Sequence, residues 1–302
     1  SRGNDYKIHQ ERKMLGALLT DEVLKQINSD YINTIFSYIP NTAETAFYGL
    51  LSSLEDRLNI HKQKMGEEHG FEFMKSIMNQ KIRVEKIAVK DAKLRTFITS
   101  DSDRDGLVGH IYDVTYGVAN KEDTLIVLDD SIVRGTTLKK SILRILDRLK
   151  LKKIIVVSSA PQIRYPDCYG IDMAKLGDFI AFNAAMNLLN ETNKGRLIIR
   201  QTLEKCKQEI QKPKEEQTNY VKNLYSPFSD NQISQQISKL LKTKNISTDV
   251  DVIFQSVANL HKACPNHLGD WYFTGDYPTA GGNMVANKSF VYFMEGKDTR
   301  AY

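Results

Sequence analysis

Apolar residues along this chain follow two rhythms. In residues 11–24 they recur at Met14, Leu15, Leu18 and Leu19, the three-and-four spacing of one helix face, which predicts an amphipathic helix. Thr34-Ile-Phe-Ser-Tyr-Ile39 is dense in β-branched and aromatic residues and stops at Pro40, so it predicts a strand and then a loop. Helical spacing returns over residues 43–58, and a polar, helix-prone stretch continues to Gln80. Lys86-Ile-Ala-Val89 predicts a short strand. Residues 99–120, rich in Gly and Asp and weakly periodic, read as a mobile loop or small flap.

The clearest unit follows. Leu125-Ile-Val-Leu128 is a continuous apolar run, a polar Gly-containing turn comes next, and a helical pattern runs to Leu149. A second apolar run, Ile154-Ile-Val-Val157, completes a βαβ spacing, so the two strands are expected to be parallel. From Asp178 to Leu241 the pattern is helical and polar, with one break at Tyr225-Ser-Pro-Phe228 and no β signal. Asp251-Val-Ile-Phe254 predicts a short strand and residues 256–263 a helix. The tail, with Gly281-Gly282 and aromatics from Phe290 to Phe293, is expected to be ordered. No internal repeat is visible. The expected organisation is an α/β core over residues 1–177, a helical extension over 178–250, and a C-terminal segment, 251–302, packing on the core.

At 302 residues and 41% hydrophobic content the chain can bury a sizeable core, and its net charge of +5 is mildly basic. That balance suits polyanionic metabolites. Without a clustered basic face carrying interleaved aromatics, it does not predict nucleic-acid binding. Three scattered cysteines, Cys168, Cys206 and Cys264, fit a reducing compartment, and no apolar run is long enough for a membrane span, so a cytoplasmic location is expected.

The chemistry concentrates in Val127-Leu-Asp-Asp-Ser-Ile-Val-Arg-Gly-Thr-Thr137. A buried parallel strand ends at two adjacent acids, Asp129 and Asp130, and ligands of open α/β sheets sit beyond the carboxyl ends of strands. Adjacent residues on an extended chain face opposite ways, so one acid is expected to face the crevice and the other a neighbouring group or a metal-bound water. The turn offers backbone amides, the hydroxyls of Ser131, Thr136 and Thr137, and a glycine, Gly135, ahead of a helix N-terminus. Such a terminus favours an anion, by about 0.3–1 kcal/mol from the dipole alone. Acids beside a phosphate seat repel it unless they hold sugar hydroxyls or a cation. A phosphorylated sugar with a metal is the expected ligand.

This string resembles the PRPP (phosphoribosyl pyrophosphate) loop of type I phosphoribosyltransferases, and its wording resembles the amidophosphoribosyltransferase family. Ser158-Ser-Ala-Pro161, Ile163-Arg-Tyr-Pro166 and Tyr169-Gly-Ile-Asp-Met173 are similar to segments that follow in that family at this spacing. Ser1-Arg-Gly-Asn-Asp with Gln10-Glu-Arg-Lys-Met-Leu-Gly16 resembles the entry into its transferase domain. Ile39-Pro-Asn-Thr42 resembles the pyrophosphate-side loop, Arg95-Thr-Phe-Ile98 the end of the catalytic flap, and Phe273-Thr-Gly-Asp-Tyr-Pro278 a late family segment. No match appears between about Glu191 and Ile246.

The resemblance implies a type I phosphoribosyltransferase-like fold, mainly a parallel sheet flanked by helices. It implies that Asp129 and Asp130 hold the ribose hydroxyls and Mg²⁺, with Thr42 completing the metal site. Ser131, Arg134, Gly135, Thr136 and Thr137 would seat the 5′-phosphate, and Arg95 would act from the flap. The implied reaction is attack of ammonia on C1 of PRPP, giving phosphoribosylamine and pyrophosphate, the first step of de novo purine synthesis. Ammonia would come from glutamine through an N-terminal glutaminase domain expected to be missing here, and homo-oligomers and purine nucleotide effectors are implied partners.

Two departures qualify that expectation. Lys90-Asp-Ala-Lys-Leu-Arg95 lacks the Tyr and Gly that usually precede Arg-Thr-Phe-Ile, and Gly109-His-Ile-Tyr-Asp113 stands where relatives carry basic residues. Transfer to a nucleobase and a non-catalytic PRPP-binding regulator therefore stay open. Some family members hold an iron–sulfur cluster; here Gly269 and Tyr272 stand at C-x-x-C positions and Asp167 at another. Four thiolates are needed, so no cluster is expected. Asp101-Ser-Asp-Arg-Asp-Gly106 imitates a calcium loop but has Tyr112 at its twelfth position, where a bidentate acid is required. Cys264 and His267 read as an ordinary core thiol and a surface imidazole.

Overall fold

The structure is a computed structural model that describes residues 5–40, 42–90, 112–115, 117–169, 173–267 and 269–301. Its strands are β1 (Thr34–Tyr38), β2 (Arg83–Val84), β3 (Ala88–Lys90), β4 (Tyr112–Val114), β5 (Thr124–Asp129), β6 (Lys153–Ser158) and β7 (Asp249–Phe254). Five of them form one sheet in the order β2-β1-β5-β6-β7, parallel at every pairing. β3 and β4 form a separate antiparallel pair, with Ala88 opposite Val114.

The central strands are apolar at every position because both faces of the sheet are covered. Ile126 and Leu128 of β5, with Ile155 and Val157 of β6 and Phe36 of β1, pack against Leu19, Val23, Phe47, Leu50 and Leu54 of the N-terminal helices. Leu125 and Val127, with Ile154, Val156 and Ile35, pack on the opposite face against Leu143, Phe182, Ile237 and Phe290. Residues 125–128 are all fully excluded from solvent. Each such aliphatic side chain contributes about 1.5–3 kcal/mol relative to leaving it in water, so this ladder fixes the register of the sheet.

Several expectations change in detail. The first helix is two: Tyr6–Ala17, capped by the Asp5 carboxylate on the Lys7 amide at 2.8 Å, and Thr20–Gln26. Between them the apolar stripe must turn to stay on the core. The helix expected over 43–58 runs on as Glu44–His69, and a short helix, Phe71–Ile77, follows it. Beyond Leu58 the long helix buries nothing, which is why hydrophobic spacing did not predict its full length. Strand β4 lies inside the stretch expected to be a loop; three residues are too few to show alternation, and its partner β3 supplies the pairing. Residues 91–111 and 116 of the expected flap lie outside the described residues, among them the calcium-like stretch. Strand β2, only two residues long, carried no sequence signal.

After β6 the chain is helical over Ile180–Glu191, Gly195–Glu209 and Asp230–Leu241, returns as β7, and ends in helix Ala280–Met294. Helix 230–241 starts with a full capping box, Ser229 with Gln232. Among the described residues no helix is long and apolar enough to cross a membrane.

Candidate functional site

Connectivity decides where a ligand can sit. From β1 the chain leaves through helix Glu44–His69, on one face, to reach β2 on one side of β1. From β5 it leaves through the helical run after Thr137, on the other face, to reach β6 on the far side of β5. The two departures diverge, so a crevice opens beyond the carboxyl ends of β1 and β5. This is the topological switch point of the sheet. Tyr38 lies opposite Leu128, and the Ile39 amide donates to the Leu128 carbonyl at 2.8 Å, so the loop leading to Thr42 starts beside Asp129. Thr42 is exposed there.

Asp129 is the last residue of β5 and Asp130 the first beyond it. The pair is held from the backbone: the Ser159 amide donates to the Asp129 carbonyl at 3.0 Å, and the Ser159 hydroxyl to the Asp130 carbonyl at 3.2 Å. The side chains fold onto the loop itself. The Asp130 amide donates to Asp129 Oδ1 at 2.9 Å and the Ser131 amide to Asp130 Oδ1 at 2.8 Å. These two amides are thus engaged by the acids themselves. Burial, then the charge of Asp130, pushes the Asp129 carboxyl up to about 8, against the lowering effect of the Asp130 amide. Two carboxylates this close are stable together only if one carries a proton or a cation lies between them.

The remaining seat lies further along the turn. Ile132 and Val133 anchor it in the core, with the Ile180 amide donating to the Val133 carbonyl at 2.9 Å. Arg134 Nε lies 3.4 Å from Asp178 Oδ2, both half-exposed. Gly135 sits at φ +67°, and a Cβ there would lie 2.6 Å from Ile180 Cδ1, so both conformation and space select glycine. Thr136 and Thr137 are exposed at the helix start. The first turns are π-helical, Leu138–Ile142, followed by an α-turn, Leu143–Leu146, and a 3₁₀ turn, Asp147–Leu149. The helical turn begins at Thr136, and Thr137, already helical in its backbone, makes no side-chain cap of its own. The widened turn carries no sequence signal, because a segment of 5 residues is too short to show a period different from that of an α-helix.

Of the expected site residues, the structure brings Asp129, Asp130, Ser131, Arg134, Gly135, Thr136 and Thr137 into one strand–loop–helix unit, with the Thr42 loop alongside. Arg95 lies outside the described residues. Among those described, no cluster of three or more His, Cys, Asp or Glu side chains could hold a metal. A cation here would rest on the two acids plus oxygens from ligand and water. Elsewhere, Asp167 accepts from the Tyr272 hydroxyl at 2.8 Å, and the His267 ring lies 3.4 Å from Glu11.

A cavity of about 670 Å³ lies along the outer edge of β7 between helices Thr20–Gln26 and Asp230–Leu241 and contains none of these residues. Its volume reflects a gap between two helices. The switch-point site is a surface cradle, and its charge defines it better than volume does.

No family model matches the chain. It is similar to curated amidophosphoribosyltransferases: 41% identical over 71 residues to that of Haemophilus influenzae, covering 24% of this chain and 14% of the relative. With that of Lachancea kluyveri it is 26% identical over 198 residues, covering 65% of this chain and 33% of the relative. The similarity to the Saccharomyces cerevisiae enzyme is 25% over 205 residues, with the same coverage. The chain thus spans a third or less of these relatives. A solved structure described as the allosteric regulatory enzyme of purine biosynthesis superposes with a TM-score of 0.50 at 22% identity, over 90% of this chain and 42% of that one. The shared fold is a five-stranded parallel sheet flanked by helices.

Proposed function

We propose that this chain transfers the phosphoribosyl group of PRPP to ammonia, forming phosphoribosylamine and pyrophosphate. The observation that carries the reading is the pair Asp129–Asp130 at the switch point, followed by a turn through Gly135 into the helix that begins at Thr136. The similarity to amidophosphoribosyltransferases supports it.

In this reading Ser131, Arg134, Gly135, Thr136 and Thr137 hold the 5′-phosphate, and Asp129 and Asp130 hold the ribose hydroxyls. Mg²⁺ fits the donor set: it takes one or two protein carboxylates and completes an octahedron with water and substrate phosphate, which two acids and the Thr42 hydroxyl allow. When bound it would neutralise the charge gathering on the leaving pyrophosphate. Asp129 would give up its proton to a bound cation, whose charge offsets the burial and the Asp130 charge that raise the carboxyl. The anionic side chains also favour positive charge developing on the ribose ring as the bond from C1 to pyrophosphate lengthens. The incoming ammonia forms the C1–N bond and releases one proton to solvent. No covalent nucleophile on the protein is needed. Arg95 is assigned to charge stabilisation from the flap, and ammonia would be drawn from glutamine by a glutaminase.

The test is pyrophosphate release from PRPP and Mg²⁺ with ammonium chloride, with a nucleobase, or with neither. Release with ammonium alone is expected. Release that requires a base would make the protein a nucleobase transferase, and tight binding without turnover would make it a PRPP-binding regulator.

A further inference from the structure

Three successive residues of the turn after β5 meet one short stretch of chain that follows β6. The Val133 carbonyl accepts from the Ile180 amide at 2.9 Å. Arg134 Nε lies 3.4 Å from Asp178 Oδ2. Gly135 lies so close to Ile180 that an added Cβ would come within 2.6 Å of Cδ1. A backbone bond, an ion pair and a packing contact thus register 133–135 against 178–180.

Asp178 stands on a fixed base. It ends the 3₁₀ turn Leu176–Asp178, between the buried side chains of Leu176 and Phe179. The Leu176 amide donates to the Ser289 hydroxyl of the C-terminal helix at 3.1 Å, and the Asn183 side chain donates to the Gly177 carbonyl at 2.8 Å. The helix that follows, Ile180–Glu191, has Phe179 at its N-cap, which offers no capping group, and the carboxylate just before it pairs with Arg134.

That pairing matters because of what else shares the turn. Asp129 and Asp130 are the acids nearest to Arg134 along the chain, and a guanidinium drawn onto them would occupy the groups proposed to hold the ribose and the cation. Asp178 supplies a counter-charge from outside the turn. A long side chain also loses rotamer freedom when a ligand immobilises it, and a partner that restrains it beforehand removes part of that cost. Because the Asp178 carboxylate is half-exposed, water and salt screen its repulsion of a bound anion.

We infer that Asp178 is a positioning residue for the 5′-phosphate: it restrains Arg134 within the phosphate seat and, with Ile180, ties that seat to the helical extension. The inference rests on the proposed PRPP reading and deepens it at the phosphate end. Asp178 acts through Arg134 and is assigned no contact with the reacting atoms.

The full chain tests it as Asp178→Asn, as Asp178→Glu, and as Asp178→Asn combined with Arg134→Gln. Calorimetry reads the binding of PRPP with Mg²⁺, of ribose 5-phosphate, and of Mg²⁺–pyrophosphate; steady-state assays read KM for PRPP against kcat with ammonium. Asp178→Asn is expected to weaken PRPP and ribose 5-phosphate by the same factor, about three- to fivefold, the scale of a half-exposed ion pair. KM should rise in step, while pyrophosphate affinity and kcat stay at the parent's values. Asp178→Glu should recover most of the loss. In the Arg134→Gln background, Asp178→Asn should change nothing further. An acid that served only the dipole of the helix behind it would matter equally with and without Arg134, so an additive loss overturns the inference. Equal weakening of pyrophosphate, which marks a general loosening of the site, also overturns it, as does parent-like binding of ribose 5-phosphate by Asp178→Asn. If the parent binds neither PRPP nor ribose 5-phosphate, the proposed function falls and this inference with it; if the parent binds and only the pattern among variants fails, the inference falls alone.

Discussion

Arg83 grips Asp123 with both arms of its guanidinium, Nη1 to Oδ1 at 2.6 Å and Nη2 to Oδ2 at 3.1 Å, and Asp123 is wholly buried. Arg83 opens β2, Asp123 immediately precedes β5, and Nη1 also reaches the carbonyl of Ile32 ahead of β1 at 2.9 Å. Three strand starts are therefore tied together at the amino edge of the sheet. The proposed chemistry lies at the opposite, carboxyl edge.

Cutting this tie should cost stability and spare ligand binding. Arg83→Met strands a buried carboxylate, which typically costs about 3–5 kcal/mol, and the exposed outer part of Arg83 puts the expectation near the low end. Urea unfolding at pH 7 measures it. A midpoint unchanged from the parent would show that water replaces the guanidinium at no cost.

Asp147 should dominate the acid sensitivity of the return to β7. Its Oδ1 accepts from the amides of Ser247 and Thr248 at 3.0 and 2.8 Å and from the Thr248 hydroxyl at 2.7 Å. Burial raises this carboxyl, but the Thr248 and Ser247 bonds outweigh it and leave it below its ordinary 3.8. A depressed carboxyl stabilises the fold above its unfolded value and loses that contribution as pH falls through the folded one. Asp147→Asn is therefore expected to lower stability at pH 7 and to flatten the fall in stability below pH 4. Equal slopes for parent and variant over that range would refute the assignment.

Asp129 has the opposite sign. Its carboxyl is raised, so the folded state holds the proton more tightly, and stability falls as pH climbs from near 3.8 toward about 8. Asp129→Asn should raise the ligand-free Tm at pH 8, leave it almost unchanged at pH 3, and abolish binding of PRPP with Mg²⁺. The site would then carry strain that its ligand relieves, a pattern common where function opposes stability. Retained PRPP binding in this variant would remove Asp129 from the site.

Gly135→Ala tests the turn. A left-handed φ of +67° and a Cβ 2.6 Å from Ile180 Cδ1 together predict a loss of about 1–3 kcal/mol, with weaker PRPP binding because the helix start shifts. Thermal melting and calorimetry with PRPP read the two effects separately. Parent-like values in both would mean that the loop relaxes freely.

The central βαβ unit was legible from the chain alone. Leu125–Leu128 and Ile154–Val157 are uninterrupted apolar runs, and only parallel strands covered on both faces need that pattern. The acids, hydroxyls and glycine after β5 were legible for the same reason: strand end, turn and helix start are contiguous, so local chemistry names them. What the chain could not disclose depends on contacts between distant residues. Strands β2 and β4 exist through their partners, since two or three residues carry no period. Strand order, and with it the crevice between β1 and β5, comes from which faces the connecting helices bury. The amides of Asp130 and Ser131 turned out to be taken by neighbouring carboxylates, a matter of side-chain direction rather than identity. The pairing of Asp178 with Arg134 likewise needs the chain folded before the two side chains meet. Sequence determined which groups stand at the end of β5; tertiary packing decided what faces them, because hydrogen bonds and charge act across space while residue order fixes only neighbours along the chain.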